Sequence, residues 1–270
     1  MLPLASAAGA VYLSHMRVIR DYQFVDPNDK GASVAIGNFD GVHLGHQSVI
    51  DLARDGAKRH DAPLGILTFE PHPRSYFAPD AAPFRLMDAH ARETRLAKLG
   101  IERLYQLNFN ASLAALTPRE FAQHVIVDGL GLVNVVVGAD FCFGKGRAGT
   151  TTDLVKFGQE MGFDVTIAPL IEDVSIQISS TAIRNALSDG RPRDAAAQLG
   201  HWHRIEGEVI GGEQRGRELG YPTANMALDG LHLPKLGVYA VIVDVLDGPH
   251  AGSYHGAASL GVRPMFGENT

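Results

Sequence analysis

The sequence predicts an α/β fold with a parallel sheet, followed by a smaller antiparallel β domain. Up to about residue 170, short apolar runs such as 33–37 and 64–69 alternate with segments of helical spacing. These runs are apolar throughout, which is typical of parallel strands buried on both faces. After about residue 200, short β-type runs separated by glycine and proline replace the helical segments. That pattern is typical of an antiparallel barrel or sandwich.

The elements of the first domain follow one another in a regular order. The predicted strands cover 33–37, 64–69, 101–107, 134–138 and 164–170. The predicted helices cover 47–59, 88–100, 117–130 and 153–162. Asp88 is the expected N-cap of the second helix and Gly100 its stop. Pro118 is expected at the first position of the third helix, where no intrahelical bond needs its missing N–H.

A boundary between the two domains is expected at about residue 200. The stretch 181–200 has helical spacing and closes the first domain. The β-type runs of the second domain are 206–212, 237–246 and 253–262. The predicted domains are therefore 16–200 and 201–270.

Composition and charge exclude several classes of protein. Of the 270 residues, 45% are hydrophobic and 20% are charged, as in ordinary soluble globular proteins. The formal net charge of -6 leaves no basic footprint for nucleic acid, and no apolar window is long enough to span a bilayer. The single cysteine, Cys142, rules out an internal disulfide and fits a reducing compartment. Residues 1–15 lack the features of a secretory signal, so a cytoplasmic protein is expected, with Met1 and Met16 as alternative starts.

The stretch 37–46, GNFDGVHLGH, follows the first predicted strand and leads into a helix. Ligands bind at this place in α/β sheets, and the free N–H groups and dipole of the helix favour a phosphate there. His43 and His46 are three residues apart and lie on one face of the first helical turn. Protonated or hydrogen-bonding imidazoles there can hold a phosphate chain. Two other interpretations are open: a polar turn with solvated histidines, and a metal pair without a nearby third ligand.

A second polar stretch, ISSTAIR at 178–184, stands at the start of another helical segment. Its hydroxyls and Arg184 can bind phosphate, the arginine bidentately, although by itself an N-cap followed by a surface arginine is the more ordinary interpretation. The HLGH of 43–46 resembles the HxGH signature of the nucleotidyltransferase superfamily, and ISSTAIR resembles the second half of that superfamily's site. The pair, in this order, favours a Rossmann-like nucleotidyltransferase domain.

Further stretches narrow the resemblance to one family. They are TFEPHP at 68–73, VGADFCFGKGRAG at 137–149, GEVIGGEQRGRELGYPTANM at 207–226, GVYAV at 237–241 and LGVRPMFG at 260–267. From about Met16 to its end, the chain resembles the bacterial bifunctional riboflavin kinase/FAD synthetases. The resemblance implies an enzyme of FAD biosynthesis that uses Mg²⁺ and ATP. One module would transfer AMP from ATP to FMN, giving FAD and pyrophosphate, and the other would phosphorylate riboflavin to FMN.

The resemblance also implies roles for particular residues of the first domain. The residues implied in adenylyl transfer are His43, His46, Ser180, Thr181 and Arg184. Those of the ATP pocket are Gly37, Phe39, Asp40, Gly41 and Gly45. Those of the flavin side are Phe69, Pro71, Pro73, Asp140, Phe141 and Arg147. Other interpretations are open here: Phe69 as a core residue at a strand end, Glu70 and His72 as a solvated loop pair, and Lys145 with Arg147 as a charged surface loop.

In the second domain, the resemblance implies a nucleotide and metal site. Its residues are Gly216, Arg217, Pro222, Thr223 and Asn225, with the oxygens of Thr223 and Asn225 as ligands of Mg²⁺. In the family, the segment that resembles 261–269 leads into a further strand with the catalytic base, whereas this chain stops at Thr270. Glu268 lies before that strand and is not expected to be the base. The barrel is therefore expected to be partial and riboflavin kinase activity to be impaired.

Two alternatives to this function are open. A nucleotidyltransferase acting on another phosphate-bearing acceptor would need the stretches 37–46 and 178–184, but not those of the flavin side. A non-catalytic flavin- or nucleotide-binding protein would bind FMN and ATP without releasing pyrophosphate. The sequence does not indicate the oligomeric state.

Overall fold

The computed structural model describes residues 16–169, 172–173, 176–211, 223–228 and 230–261. Its first six strands are β1 (Arg17–Ile19), β2 (Ser33–Ile36), β3 (Leu64–Glu70), β4 (Arg103–Asn108), β5 (Asn134–Gly138) and β6 (Asp164–Ala168). They form one sheet in the order β1-β4-β3-β2-β5-β6, and every neighbouring pair is parallel. The predicted parallel sheet is confirmed, and β1 is an additional edge strand.

Helices connect these strands and follow the last of them. They are α1 (Leu44–His60), α2 (Pro73–Phe77), α3 (Ala89–Lys98), α4 (Ala111–Ala115), α5 (Pro118–Glu120, continued as a π-helix over Phe121–Gly129), α6 (Thr151–Met161), α7 (Ser180–Ser188) and α8 (Pro192–Leu199). Asp88 caps α3 as predicted, because its carboxylate accepts from the backbone N–H of Ala91 at 2.7 Å. Pro118 is the first residue of α5 as predicted, after the capping residue Thr117.

Both faces of the sheet are buried, which explains the continuously apolar strands. Val34 and Ile36 of β2 point into a core that includes Val125 of the π-helix. Ala35, between them, points into a second core with Ile50 of α1. Because successive side chains of a strand point to opposite faces, neighbouring positions such as Val34 and Ala35 are both apolar and serve both cores.

The order of the strands places a crevice at the end of β2. From β2 the chain proceeds outward through β3 and β4 on one side, and β5 and β6 lie on the other side. The strand order therefore reverses between β2 and β5, the arrangement in which α/β proteins bind ligands beyond the carboxyl ends of the strands. The turn at 37–43 leaves β2 at this point.

The helical spacing predicted over 181–200 belongs to two helices. Helix α7 ends at Ser188, and α8 begins at Pro192. Gly190 has a φ of +76°, which ends the helical path. Pro192 has no N–H to donate to the preceding turn, so it starts a new helix instead of continuing the old one.

The strands after the sheet form short antiparallel pairs. They are β7 (Glu172–Asp173), β8 (Ile176–Gln177), β9 (Val209–Ile210), β10 (Asn225–Met226), β11 (Gly237–Val245) and β12 (Gly252–Leu260). Strands β11 and β12 form a hairpin in register from Gly237 opposite Leu260 to Val245 opposite Gly252. The predicted antiparallel character of the second domain is confirmed. In the described part of the predicted run 206–212, which ends at residue 211, only Val209–Ile210 is a strand. Within the described ranges, no helix has the length and apolar character needed to cross a membrane.

Candidate active site

The turn between β2 and α1 has an unusual backbone. Phe39 and Val42 have φ angles of +51° and +43°, in the left-handed region that residues other than glycine rarely adopt. Gly41 lies between them with a φ of +86°. A Cβ atom at Gly37 would lie 3.3 Å from the buried ring of Phe39. These three predicted pocket residues, Gly37, Phe39 and Gly41, therefore shape the path of the backbone.

His43 and His46 stack on each other at the start of α1. Their ring centroids are 3.6 Å apart and the rings are inclined by 15°. His43 is the N-cap of α1, and its Nδ1 accepts from the backbone N–H of His46 at 3.2 Å. Because Nδ1 is an acceptor, the proton of a neutral His43 lies on Nε2, which is left to donate to a ligand. A Cβ atom at Gly45 would lie 3.2 Å from the His43 ring, so glycine suits this position.

Both imidazoles are neutral at physiological pH. Burial lowers the pKa of His43 to about 4, although the charge of Asp40 opposes this shift. Burial and the neighbouring His43 lower the pKa of His46 well below its ordinary value. The pair thus carries N–H donors and no positive charge. In the described part of the chain, no group of three or more His, Cys, Asp or Glu side chains is arranged to hold a metal ion.

Asp40 joins the turn to two other segments. Its side chain is only 4% exposed. Oδ1 accepts from the backbone N–H of Leu86 at 2.8 Å, and Oδ2 accepts from Nη2 of Arg184 at 2.8 Å. The hydroxyl of Ser180 donates to the backbone carbonyl of Asp40 at 3.0 Å. This carboxylate therefore fixes the start of α1 relative to the start of α7.

The start of α7 brings the second motif next to the first. Ser179 caps the helix by accepting from the N–H of Ala182 at 3.1 Å. The carbonyl oxygen of Ile178 lies only 3.8 Å from the Cβ position of Gly45. Thr181 is exposed at this helix start. The two stretches singled out in the sequence are thus neighbours in space.

Arg184 contacts protein groups through two of its three nitrogens. Nη2 pairs with Asp40, and Nε donates to the backbone carbonyl of Phe84 at 2.6 Å. Its guanidinium also lies 5.6 Å from the centre of the Phe84 ring. Within the described residues, Nη1 is the nitrogen that makes no such bond. The bidentate grip on phosphate stays a prediction, and it would require Arg184 to change partners.

Glu70, at the end of β3, accepts from two arginines that the sequence analysis did not single out. Its Oε1 accepts from Arg85 at 2.7 Å and its Oε2 from Arg92 at 2.9 Å. Arg92 is completely buried and also donates to the backbone carbonyl of Asn38 at 3.3 Å and to Gln106 at 3.0 Å. Burial raises the pKa of Glu70, but the hydrogen bonds and charges of the two arginines outweigh it and keep this pKa below its ordinary value.

His72 is buried and caps α2. Its Nδ1 accepts from the backbone N–H of Arg74 at 3.0 Å, and its ring meets that of Phe84 edge-on. Burial lowers the pKa of His72 to about 4. The interpretation of Glu70 and His72 as a solvated loop pair is therefore wrong, because one is held in ion pairs and the other is a buried cap.

Aromatic side chains cluster beyond the ends of β3 and β4. Phe69 and Phe109 meet edge-on with ring centres 5.6 Å apart, and Phe69 also packs against the core, as its alternative interpretation has it. Tyr76 and Phe77 of α2 contact Phe109 at 5.3 and 5.7 Å. Phe77 is 68% exposed, an unusual exposure for a phenylalanine. Of the predicted flavin-side residues, Pro71 is exposed in the turn before this cluster and Pro73 is the first residue of α2.

The remaining predicted flavin-side residues lie in the loop after β5. Phe141 is half-buried and stacks with Phe143, with ring centres 5.6 Å apart. It packs against the same core as Phe69. Asp140 and Arg147 are exposed, and the exposure of Arg147 fits its interpretation as part of a charged surface loop.

A polar cavity of about 450 Å³ opens beside the aromatic cluster. Its lining includes Glu70 and Asn108, from the ends of β3 and β4, and Arg20, which follows β1. Gln106 contributes a further amide. None of these residues was predicted as a site residue, since the cavity depends on which strands are neighbours.

Comparisons with known proteins show the family of this chain. A family model for FAD synthetase matches residues 25–182, and one for riboflavin kinase matches residues 199–270. A bifunctional riboflavin kinase/FMN adenylyltransferase of Pseudomonas fluorescens is 40% identical over 249 residues, which are 92% of this chain and 78% of that protein. The chain belongs to the bifunctional riboflavin kinase/FMN adenylyltransferase family.

Two further proteins are similar to this chain. The protein of that description from Escherichia coli K12 is 37% identical over 250 residues, covering 92% of this chain and 79% of its own length. A crystal structure from Streptococcus pneumoniae, described as a macrolide-efflux protein, is 33% identical, with a TM-score of 0.75. That comparison covers 92% of this chain and 79% of the other.

The residues predicted for the kinase module of this family are described only in part. Gly216, Arg217 and Pro222 lie outside the described residues, as does Glu268. Thr223 is exposed, and Asn225 begins β10 opposite Ile210. The proposed Mg²⁺ ligands Thr223 and Asn225 stay a prediction.

One of the residues missed in the first module had a signal in the sequence. Arg92 lies on the same face of α3 as the buried Leu96, so it is a charge on the apolar side of a predicted helix. Phe84, Arg85 and Leu86 had no such signal, because they belong to a segment between helices without any periodic pattern.

Proposed function

We propose that this chain makes FAD by transferring the adenylyl group of ATP to FMN. A phosphate oxygen of FMN attacks the α-phosphorus of ATP, the bond from that phosphorus to the β-phosphate bridging oxygen breaks, and pyrophosphate leaves. No covalent enzyme intermediate is needed, so positioning and stabilisation of charge supply the rate enhancement.

The observation that carries this proposal is the meeting of the HLGH turn and the start of α7 around Asp40. Nε2 of His43 and the first free N–H groups of α1 would face the phosphates, and the helix dipole adds positive potential there. Donors held in a fixed geometry stabilise developing negative charge without rearranging during the reaction. Ser180, Thr181 and Arg184 would contact the triphosphate from the side of α7.

The flavin ring would bind at the aromatic cluster. Phe77 leaves most of its ring surface open, beside Tyr76 and Phe109. A planar aromatic ligand gains both buried area and ring contacts at such a surface. Asp140, Phe141 and Arg147 are proposed to contact the flavin from the loop after β5. This surface supports FMN as the acceptor in preference to another phosphate ester.

Mg²⁺ would enter with ATP. Because the described residues contain no group of acidic and histidine side chains able to hold an ion by themselves, the triphosphate oxygens would supply most of its ligands, as is usual for Mg²⁺ with nucleotides. The metal would neutralise charge on the leaving pyrophosphate.

For the second module we propose phosphorylation of riboflavin by ATP. The boundary between the two modules is proposed near residue 200, and the protein is proposed to be cytoplasmic. The match to the riboflavin kinase model over residues 199–270 supports the kinase assignment.

One assay tests both modules. The purified chain is given ATP, Mg²⁺ and either FMN or riboflavin, and flavin products and pyrophosphate are measured by chromatography. FAD and pyrophosphate are expected from FMN, and FMN is expected from riboflavin. A folded chain that binds FMN and ATP without releasing pyrophosphate would contradict the catalytic proposal, and a folded chain that forms no FMN from riboflavin would contradict the kinase assignment.

A further inference from the structure

Three histidines that follow α8 each contact a backbone carbonyl of the first module. Nε2 of His201 lies 3.1 Å from the carbonyl oxygen of Gly41. Nε2 of His203 lies 3.2 Å from that of Leu86. Nε2 of His232 lies 3.0 Å from that of Arg184. We call this set the histidine clasp.

The three carbonyls share one property: each belongs to a residue tied to Asp40. Gly41 follows Asp40 in the chain. The backbone N–H of Leu86 donates to one carboxylate oxygen of Asp40, and Arg184 pairs with the other. The clasp therefore holds, from outside, the three segments that meet at this carboxylate.

The segment around His232 is docked through its backbone as well. The N–H of His232 donates to the carbonyl of Arg85 at 2.7 Å, and the N–H of Lys235 donates to that of Leu187 at 2.9 Å. Leu231 is buried and forms a parallel bridge with Arg85. These bonds attach a segment of the second module to both the 84–86 loop and α7.

The imidazole of His203 is neutral and makes one hydrogen bond within the described residues. Burial lowers its pKa to about 4, so it is neutral and donates through Nε2. His201 faces a second carbonyl, that of Trp202, with its Nδ1 at 2.8 Å, and His232 also contacts the hydroxyl of Ser188. Within the described residues, His203 makes a single side-chain hydrogen bond, which makes it the cleanest position for a test.

We propose that the histidine clasp positions the adenylyl-transfer site, so that the second module and the segment leading to it set the geometry of the first. The reaction named here rests on the proposed function. His201, His203 and His232 do not face the phosphates and act through Asp40. The clasp keeps Leu86 and Arg184 where Asp40 can bind both, and so keeps His43 and α7 at the spacing that one triphosphate requires.

The first test compares His203→Ala with His203→Gln in the full chain. The glutamine amide can donate from about the position of Nε2, whereas alanine cannot. For His203→Ala we expect the KM for ATP to rise about fivefold, the effect of one lost hydrogen bond, and we expect His203→Gln to restore most of it. The exposed His250→Gln serves as the matched control. A variant that is merely less stable would lose active protein while its KM for ATP stayed unchanged.

The second test does not depend on FAD formation. Hydrogen exchange is measured at the backbone N–H of Leu86. In the intact clasp this N–H donates a hydrogen bond to the carboxylate of Asp40. We expect the Leu86 amide to exchange faster in His203→Ala than in the unaltered chain. The melting temperature and the exchange of amides in β4 should not change. Unchanged exchange and an unchanged KM would overturn the proposal, as would equal losses in His203→Ala and His203→Gln. If the unaltered chain forms no FAD, the proposed function fails, and the exchange result alone decides for or against the clasp.

Discussion

Asp40 and Arg184 lie 144 residues apart in the chain and form an ion pair of 2.8 Å. Their side chains are 4% and 17% exposed. Removing one partner of a buried pair leaves the other charge unpaired, which costs far more than losing an exposed pair. This contact also joins the two motifs that the sequence pointed to, so it links stability to the proposed activity.

We expect Asp40→Asn to lower the free energy of unfolding by roughly 3 kcal/mol, the usual cost of breaking a buried ion pair. It should also lower FAD formation at least tenfold, because α7 and the 37–43 turn lose their connection. Urea unfolding and initial rates are the measurements. The matched control is Asp189→Asn, which breaks the exposed pair with Arg191 and should cost less than about 1 kcal/mol. Equal effects of the two variants would contradict the role given to Asp40.

His43 has two separable contributions, one to the helix and one to the ligand. His43→Asn keeps an acceptor for the N–H of His46 at the N-cap, but removes the donor at Nε2. We expect this variant to unfold like the unaltered chain and to lose about a hundredfold in kcat for FAD formation. His43→Ala should lose a similar amount of activity and, in addition, about 1 kcal/mol of stability. An active His43→Asn variant would show that Nε2 is not needed.

The histidines with lowered pKa predict how stability depends on pH. Folded His43 and His72 have pKa values of about 4, below the ordinary value of 6.5. Between pH 6.5 and pH 4 the unfolded chain binds protons that the folded chain does not, so the free energy of unfolding falls as the pH falls through this window. Each histidine can contribute about 1 to 3 kcal/mol to this loss.

The measurement is urea unfolding at several pH values from 7.5 to 4.5. His72→Asn keeps the cap of α2 and removes one titrating group, so its stability should fall less steeply below pH 6.5 and match the unaltered chain at pH 7.5. Bound ATP should reduce the slope as well, because an anion near His43 raises the pKa of that imidazole. Parallel curves for the variant and the unaltered chain would show that His72 is not neutral in the folded protein.

The local signals in the sequence predicted much of the fold. Asp88 and Pro118 mark the starts of helices. Their contacts involve residues only a few positions away, so the local sequence is enough to predict them. The continuously apolar strands predicted a sheet with two covered faces for the same reason. The division between α7 and α8 could also have been predicted, since Gly190 and Pro192 stand together.

The parts of the site that were missed depend on contacts between distant segments. Arg85 and Arg92 bind Glu70 because β3 lies beside the helix and loop that carry them, and no spacing in the chain indicates that arrangement. The histidine clasp is a similar case, with His203 bound 117 residues away at Leu86. Motif resemblance pointed to the residues that we propose face the ligands, whereas the residues that support them follow from packing.

Gly56 lies in the core between α1 and the sheet, where a larger side chain is expected to lower stability. A Cβ atom there would lie 2.2 Å from Nδ2 of Asn134 and 2.6 Å from Oγ of Ser33, which bond to each other at 2.8 Å. We expect Gly56→Ala to lower the free energy of unfolding by about 2 to 3 kcal/mol through overpacking. In Gly207→Ala the new methyl group would meet only ordinary contacts at 3.5 Å, so a small change is expected. Thermal unfolding of both variants makes the comparison.

Substitutions of Phe77 test the proposed binding place of the flavin. Its ring is 68% exposed yet contacts Tyr76 and Phe109, so it has an open surface at a rigid position. If the isoalloxazine ring lies against it, Phe77→Ala should raise the KM for FMN about fivefold to tenfold, the value of one aromatic contact, and leave the KM for ATP unchanged. Phe77→Tyr should keep most of the affinity.

Phe24 provides the matched control for this prediction, because it is 86% exposed and lies outside the aromatic cluster. Phe24→Ala removes the same side chain from the surface and should leave both KM values unchanged. Quenching of FMN fluorescence gives a direct affinity for each variant without turnover. If Phe77→Ala bound FMN as tightly as Phe24→Ala does, the flavin would have to bind elsewhere, and the polar cavity beside Asn108 would be the next surface to probe.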